Sequence, residues 1–268
     1  MAETFPKYDN PPVVETVLSA QFARLPKFRT AHAGCFWKSA LDETWNSAND
    51  APRLDDSFER FGDERVWGPP GGFRFSTGVE AQRTQIVRAD ATRMIQVQDS
   101  RFIYNWQKGQ SIIYASYDST RKEFGESYAK FKEFIKASDI GEIEENQWEV
   151  TYQNHLVKGE LWDSPKDWRS IFPWFNFPAS SLRPDFVLGR WAFVLPEDRG
   201  RLHVTVNFGR TSLTGPEAII LELTARGTAS SQAGFSVLEG FEIGHAAIVW
   251  TFTKMTSDRA HIHWKMRD

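Results

Sequence analysis

Three short runs of β-prone residues follow one another closely in the first half of the chain. The runs cover residues 84–88, 94–98 and 102–106. Turn-forming residues separate them, Asp90 after the first run and Asp99 after the second. Connections this short join antiparallel neighbours, because a parallel crossover needs a dozen or more residues. The sequence therefore predicts an antiparallel meander.

Further strands are predicted on both sides of this meander. Residues 14–22 alternate between apolar and polar side chains, which is typical of a strand with one buried face. In the second half, strand patterns cover residues 148–155, 186–194, 202–208 and 218–224. Residues 260–267 also alternate, and they predict a closing strand.

Two long helices are predicted from capping residues followed by apolar stripes. Thr120 with Glu123, and Ser236 with Glu239, have the spacing of a capping box. The stripes that follow at helical spacing are Phe124, Tyr128, Phe131 and Ile135, and then Val237, Phe241, His245, Ile248, Phe252 and Met255. Each stripe predicts a helix with one buried side.

A shorter helix is predicted over residues 30–47, where apolar side chains recur at helical spacing. Cys35 lies inside it beside Phe36, and we expect a small buried side chain there rather than a reactive thiolate. A long loop follows, and it includes the Gly- and Pro-rich residues 68–72.

These elements predict an α+β protein, a curved antiparallel sheet with the two long helices on one face. Residues 1–141 and 142–268 share an order of strand, helix or insert, antiparallel strands and long helix. We therefore expect two similar halves packed as one unit, as in TATA-binding-protein-like folds. The alternative is a helix-grip fold, in which a single sheet holds one helix.

Three stretches of the sequence resemble a sporadically distributed prokaryotic protein family of about this length. They are NPPVVETVLSAQF at residues 10–22, RFIYNW at 101–106 and GHAAIVWTFTKMTSDRAHIHW at 244–264. Members of that family share these stretches in the same order, and the resemblance brings no catalytic residues with it. The patchy distribution of the family implies genes carried on mobile elements, where defence systems and toxin–antitoxin pairs are common.

The cellular compartment is predicted from cysteine usage and from the start of the chain. The single cysteine cannot form an internal disulfide, and the first residues lack the basic cluster and apolar run of a signal peptide. No uncharged apolar run reaches the roughly 18 residues that a membrane span needs. We expect a cytoplasmic protein without membrane partners.

Sequence motifs for common catalytic chemistries are missing. The chain contains neither the GxxxxGK[ST] phosphate loop nor the GxSxG nucleophile elbow. His261 and His263 would share one face of the predicted closing strand, but no third metal ligand lies nearby in sequence. His245 is interpreted as a hydrogen-bonded core residue. We predict no catalytic, cofactor-binding or metal-binding residues and no cofactor.

A local excess of basic residues accompanies the meander, although the whole chain has a net charge of -3. The basic residues are Arg83, Arg88, Arg93, Arg101 and Lys108. Phe102, Tyr104 and Trp106 alternate within the same stretch, so a curved sheet could offer a phosphate-tracking stripe with base-stacking rings. The competing interpretation is the ordinary solvated face of an antiparallel sheet.

The densest group of aromatic residues lies in an irregular, proline-containing stretch, residues 161–177. The group includes Trp162, Trp168, Phe172, Trp174 and Phe175. Rings outside regular elements can anchor a protein interface by filling pockets of a partner. We predict a partner interface here, and the alternative is a lid over the chain's own core.

Together these patterns favour a binding protein over an enzyme. The expected role is that of an accessory, regulatory or immunity-like partner, and the partner is another protein chain or a second copy of this one. A nucleic-acid-binding module is the first alternative, and an enzyme or small-ligand pocket protein is the second.

Overall fold

The computed structural model describes residues 5–61, 82–109, 114–175, 185–230 and 235–267. In these residues the chain forms a nine-stranded antiparallel sheet and a separate two-stranded pair. The strands are β1 (Lys7–Tyr8), β2 (Val13–Phe22), β3 (Trp45–Pro52), β4 (Gln82–Arg88), β5 (Arg93–Gln98), β6 (Arg101–Gln107), β7 (Glu145–Val157), β8 (Leu188–Val194), β9 (Arg201–Arg210), β10 (Glu217–Thr228) and β11 (Met266–Arg267). The order across the large sheet is β3-β4-β5-β6-β2-β7-β10-β9-β8, so the predicted meander is confirmed.

The described residues contain four α-helices and two short 3₁₀ helices, Pro165–Ser170 and Pro196–Asp198. The α-helices are named here in chain order. They are α1 (Thr30–Ala40), α2 (Tyr117–Ala137), α3 (Val237–Met255) and α4 (Asp258–His263). The predicted capping box begins α3, since the Ser236 hydroxyl accepts from the N–H of Glu239. α2 begins earlier than the predicted cap at Thr120, because the Ser116 hydroxyl accepts from the N–H of Ser119 at 3.3 Å.

The helices cover one face of the sheet, called here the helix face. α2 packs on β6 and β2, and α3 packs on β7 and β10. These contacts lie on one side of the sheet, because Phe102, Ala20 and Trp148 are aligned across β6, β2 and β7. Phe124, Phe131, Val237 and Phe241 are all fully buried there. Since α1 also packs on β4 and β5, the sheet holds more than the one helix of a helix-grip fold.

The predicted helix over residues 30–47 is too long. α1 ends at Ala40, and Trp45 instead begins β3, where its indole is buried against the core. Cys35 is exposed rather than buried, because Phe36 occupies the core-facing position of α1 and the neighbouring residue points away from it. The predicted loop at residues 68–72 lies outside the described residues.

The predicted closing strand over residues 260–267 is also wrong. Its first part is α4, which the Ser257 hydroxyl caps by accepting from the N–H of Ala260. Ala260 and Trp264, four residues apart, are buried, while Ile262 between them is 79% exposed. This is helical periodicity, and only the two residues of β11 pair with β1. Among the described helices, none has the length and apolar character required to cross a membrane.

Candidate functional site

The face of the sheet opposite the helices, called here the polar face, carries mainly polar side chains. Successive strand residues point to opposite faces, so the alternate set of each strand gathers on this side. One row across it reads Val17, Thr151, Thr224 and His203 in register. Thr151 and Thr224 join their hydroxyls at 2.8 Å across β7 and β10. The polar face is therefore a continuous surface built from both halves of the chain.

A cavity of about 490 Å³ lies on the polar face, and we call it the basin. It is lined by Glu15, Val17, Leu54, Arg83, Gln85, Met94, Gln96, Ile103, Asn105, Glu149, Thr151, Arg190, His203, Thr205, Glu222, Thr224 and Arg226. In a flat sheet β4 and β8 would lie roughly 34 Å apart, at about 4.8 Å per strand. One cavity lined by both strands indicates that the sheet curves toward its polar face.

A chain of side-chain amides crosses one side of the basin and ends on a carboxylate. Gln85 donates to Gln96 at 3.1 Å, and Gln96 donates to Asn105 at 2.7 Å. Asn105 then donates to Glu15 Oε1 at 2.7 Å, and Gln107 donates to the same oxygen at 3.0 Å. These bonds hold the carboxylate of Glu15 in one orientation near the middle of the sheet.

Two further carboxylates lie on the other side of the basin. Glu149 is paired with Arg226, whose Nη1 is 3.1 Å from its Oε2. Glu222 makes no ion pair with the described residues. Burial in the basin and the charge of Glu149 raise the pKa of Glu222, and Arg190 only partly opposes them. Glu222 is therefore a carboxyl group that a cationic partner could stabilise in its charged form.

Two arginines of the basin are likewise available. The Nε of Arg83 is buried and has no hydrogen-bond partner among the described residues, and burial lowers the pKa of this guanidinium. Arg190 is exposed on β8 and makes no ion pair within the described part of the chain. The basin thus offers both free cations and a free carboxyl group, which suits a ligand that carries both charges.

Residues 53–61, called here the strap, cross one end of the polar face. Gln98 on β5 accepts from the N–H of Leu54 and donates to its carbonyl oxygen, both at 3.0 Å. Gln21 on β2 does the same with Ser57, at 2.9 and 3.1 Å. Each glutamine side chain therefore bonds one strap residue as a neighbouring strand would.

The far end of the strap is held by charge. Glu59 lies in a cluster of basic side chains, with Arg201, His203 and Arg226 all bonding its carboxylate. Gln147 also accepts from the N–H of Glu59 at 3.2 Å. Burial alone would raise the pKa of Glu59, but the His203 hydrogen bond and the Arg226 charge outweigh it and lower the pKa to about 2. Glu59 is thus ionised at neutral pH.

The predicted basic stripe is divided between the two faces. Arg83 and Arg101 lie on the polar face, where Arg101 is buried and donates to Gln21. Arg88 lies on the opposite face because it is five positions from Arg83 on β4. Arg93 also lies on the opposite face because it pairs with Trp106, which points to the helix face. Lys108 follows the end of β6. These residues do not form a continuous stripe.

The aromatic residues between the predicted basic positions are also unavailable to nucleic acid. Phe102, Tyr104 and Trp106 point to the helix face and are buried at 2% exposure or less. Base stacking needs an accessible ring face, which these rings do not offer. This corrects the expected base-stacking platform.

The predicted aromatic interface is largely part of the core. Trp162, Trp168 and Phe172 are buried and pack within the chain, so they are not exposed anchors. Trp174 is 41% exposed, and Phe175 is partly buried against Trp168. Within residues 161–175, these side chains pack against one another and against the core. The prediction of a partner surface therefore rests on Trp174 and its neighbours.

The histidines singled out from the sequence lie apart from the basin. His261 and His263 are on α4, and His261 is buried with its Nε2 at 2.9 Å from the Thr256 hydroxyl. His245 is stacked on Tyr117 and bonded to Tyr152, as expected of a core histidine. The described residues contain no group of three or more side chains that could hold a metal ion.

Sequence reasoning missed the basin and the strap. Glu15, Glu149 and Glu222 lie far apart in the chain, each at an ordinary polar position of a strand. The signal available in the sequence was the polar set of alternate residues in each predicted strand, which is rich in Gln, Glu and Thr. Comparison of the chain with protein-family models, with curated proteins and with solved structures found no match.

Proposed function

We propose that this protein works by binding rather than by catalysis, and that its basin holds an extended segment of a partner polypeptide. The observation that carries this proposal is the strap. The polar face already holds one stretch of its own chain, outside any helix or strand, through pairs of side-chain amide bonds to the backbone. Such bonds are independent of sequence, because they use the N–H and C=O that every residue except proline carries.

The basin continues the chemistry that holds the strap. Further amide side chains of the sheet lie in the basin and beside it. They are Gln85, Gln96, Asn105, Gln107 and Gln153. Each amide group has two donor hydrogens and an oxygen with two acceptor sites, so an amide already bonded to its neighbour keeps capacity for a ligand. A second extended segment beside the strap would meet the same kind of backbone-binding groups.

Charge would supply the selectivity that backbone bonds lack. Glu222 and Glu15 attract a basic side chain, and Arg190 and Arg83 attract an acidic one. The same carboxylates oppose nucleic acid, because phosphates approaching the basin would meet three glutamates near its centre. A partner segment with both kinds of charge fits this pattern best.

The two-halves interpretation of the fold belongs with this proposal. Central strands β2 and β7 each begin a half, the following strands return to pair beside them as β6 and β10, and α2 and α3 then cover them. This order supports a TATA-binding-protein-like arrangement of residues 1–141 and 142–268. An accessory, regulatory or immunity-like role would follow if the bound segment belongs to another protein.

An array of capped peptides as long as the strap tests the proposal. Acidic, basic and neutral residues are placed at every second position, and binding is measured by fluorescence anisotropy. We expect a subset with mixed charge to bind with a Kd of about 100 µM or tighter. Glu222→Lys should weaken those peptides at least about tenfold. Glu126→Lys, on the exposed side of α2, is the matched control and should leave binding unchanged.

Two results would overturn this function. One is an array in which no peptide binds the protein more tightly than a scrambled neutral peptide. The other is binding that Glu222→Lys and Arg190→Glu leave intact, which would place the bound peptide outside the basin.

A further inference from the structure

The two edges of the sheet differ in how they are protected against pairing with another strand. The edge strand β3 carries Asn46, Asn49, Asp50 and Pro52, residue types that discourage edge-to-edge association. The edge strand β8 has the sequence LGRWAFV, with a single charged residue, Arg190. One edge is therefore blocked by polar residues and proline, while the other offers an apolar strand.

The apolar side chains of β8 are exposed on both faces. Exposure is 68% for Leu188, 49% for Phe193 and 48% for Val194, while Trp191 is 36% exposed. α3 packs on β7, β10 and β9 and leaves the rings of Trp191 and Phe193 accessible. Exposed apolar edge strands are uncommon in proteins that stay monomeric.

We propose that β8 pairs antiparallel with β8 of a second copy, around a two-fold axis through Trp191. In this register Gly189 lies opposite the partner's Phe193, and Leu188 lies opposite the partner's Val194. The glycine thus lies opposite a phenylalanine, and Arg190 lies opposite the partner's Ala192 rather than a second charged residue. β8 is thus complementary to itself, which an isologous dimer requires.

The orientation of Trp191 supports this register. Its ring leans along the strand over Gly189, where an added Cβ would lie 2.3 Å from the ring. The partner's Phe193 would stand beside that same position, at the roughly 5 Å separation of cross-strand neighbours. Each tryptophan would therefore pack against a phenylalanine of the other copy. Trp174 lies behind Trp191, at 5.3 Å between ring centres, and holds it in place.

The exposed apolar area at β8 supplies a large part of what a stable dimer needs. The exposed parts of Phe186, Leu188, Trp191, Phe193 and Val194 amount to roughly 500 Å² of apolar surface per copy, taking about 200 Å² for an aromatic side chain. The backbone edge of β8, which no described strand pairs with, and Arg190 add to this figure. A stable interface buries about 800 Å² per partner.

Sedimentation equilibrium over a range of protein concentrations is the first test. We expect a dimer, and Phe193→Glu should shift it to monomer at the same concentrations with circular dichroism unchanged. Asn49→Glu places the same charge on the opposite edge strand and should leave the dimer intact. A monomeric wild-type protein, or a dimer that Phe193→Glu does not weaken, would overturn the inference.

Register-specific cross-linking is the second test. In a Cys35→Ser background, Leu188→Cys combined with Val194→Cys should form dimers with intermolecular disulfides, because opposed Cα atoms lie about 4.5 to 5.5 Å apart. Leu188→Cys alone should not cross-link, since the two copies of this residue would be roughly 20 Å apart. Cross-linking by the single variant would contradict the register, and none by the double variant would contradict the pairing.

This dimer and the proposed peptide binding share Arg190, which lines the basin and also lies on β8, but one variant separates them. Phe193 points to the helix face and does not line the basin, so Phe193→Glu tests association without touching the basin.

Discussion

Gln21 bonds Ser57 through both atoms of its side-chain amide. Its Nε2 donates to the Ser57 carbonyl oxygen at 3.1 Å, and its Oε1 accepts from the Ser57 N–H at 2.9 Å. Gln21 is 3% exposed, so both bonds are shielded from water. They attach residues 53–61 to the middle of the sheet and make the strap a part of the folded structure.

Replacing this side chain should destabilise the protein. Gln21→Leu leaves the N–H and C=O of Ser57 without their partners and also removes the bonds of Gln21 to Arg101 and Asn146. Each unsatisfied buried group costs about 1 to 3 kcal/mol. Gln153→Leu is the matched control, because Gln153 on β7 lies on the same face of the sheet as Gln21 and does not bond the strap. Urea denaturation should show a clear loss for the first variant and a much smaller one for the second. Equal losses would mean that the strap contributes no specific stability.

Glu59 should make the folded protein sensitive to acid. Its pKa is about 2 in the folded state, below its ordinary value of 4.5. A carboxyl group with a lowered pKa stabilises the fold above its unfolded value, and that contribution is lost as the pH falls from about 5 to 2. The shift corresponds to about 3 kcal/mol.

The corresponding variant is Glu59→Gln, with unfolding free energies measured at pH 7 and pH 3. The variant should be less stable than wild type at pH 7, and the difference should shrink at pH 3. Glu197→Gln removes an exposed carboxylate that pairs with Arg199, and it should keep the wild-type pH dependence. A constant difference between pH 7 and pH 3 would contradict the assignment.

His245 should make the stability of the fold depend on pH in a higher window than Glu59 does. Burial lowers its pKa from 6.5 to about 4, so the folded protein keeps this imidazole neutral. The unfolded chain takes up the proton first as the pH falls, and stability is lost between about pH 6.5 and pH 4. His245→Phe should flatten the stability profile in this window, measured by thermal unfolding. His263→Gln, at a partly exposed site, is the control and should leave the profile unchanged.

The space around two helical glycines predicts opposite effects of replacing them with alanine. A Cβ on Gly240 would lie 2.2 Å from the ring of Trp148, which is fully buried. Gly240→Ala should therefore destabilise the protein by about 1 to 3 kcal/mol through overpacking. Gly125 on α2 has open space around it, and Gly125→Ala should stabilise the protein by about 0.5 to 1 kcal/mol. Differential scanning calorimetry of the two variants checks the signs, and a stabilised Gly240→Ala would contradict the packing.

The glutamates that line the basin show the limit of prediction from sequence. Glu15, Glu149 and Glu222 could each be assigned to the polar side of a strand from local alternation. Their meeting depends on the β2–β7 and β7–β10 registers, which pair residues distant in the chain. The strap had no predictive signal, because side-chain amides rather than a strand partner hold its backbone.

The sequence by itself determined most strands and the capped start of α3, because alternation and capping are properties of neighbouring residues. Only the tertiary structure decided that Trp168 fills the core and Trp174 reaches the surface, and that Arg83 and Arg88 lie on opposite faces. It also decided that residues 258–263 form a helix, since burial of Ala260 and Trp264 outweighs a short alternating pattern. These outcomes depend on register and packing between distant segments, which no local pattern encodes.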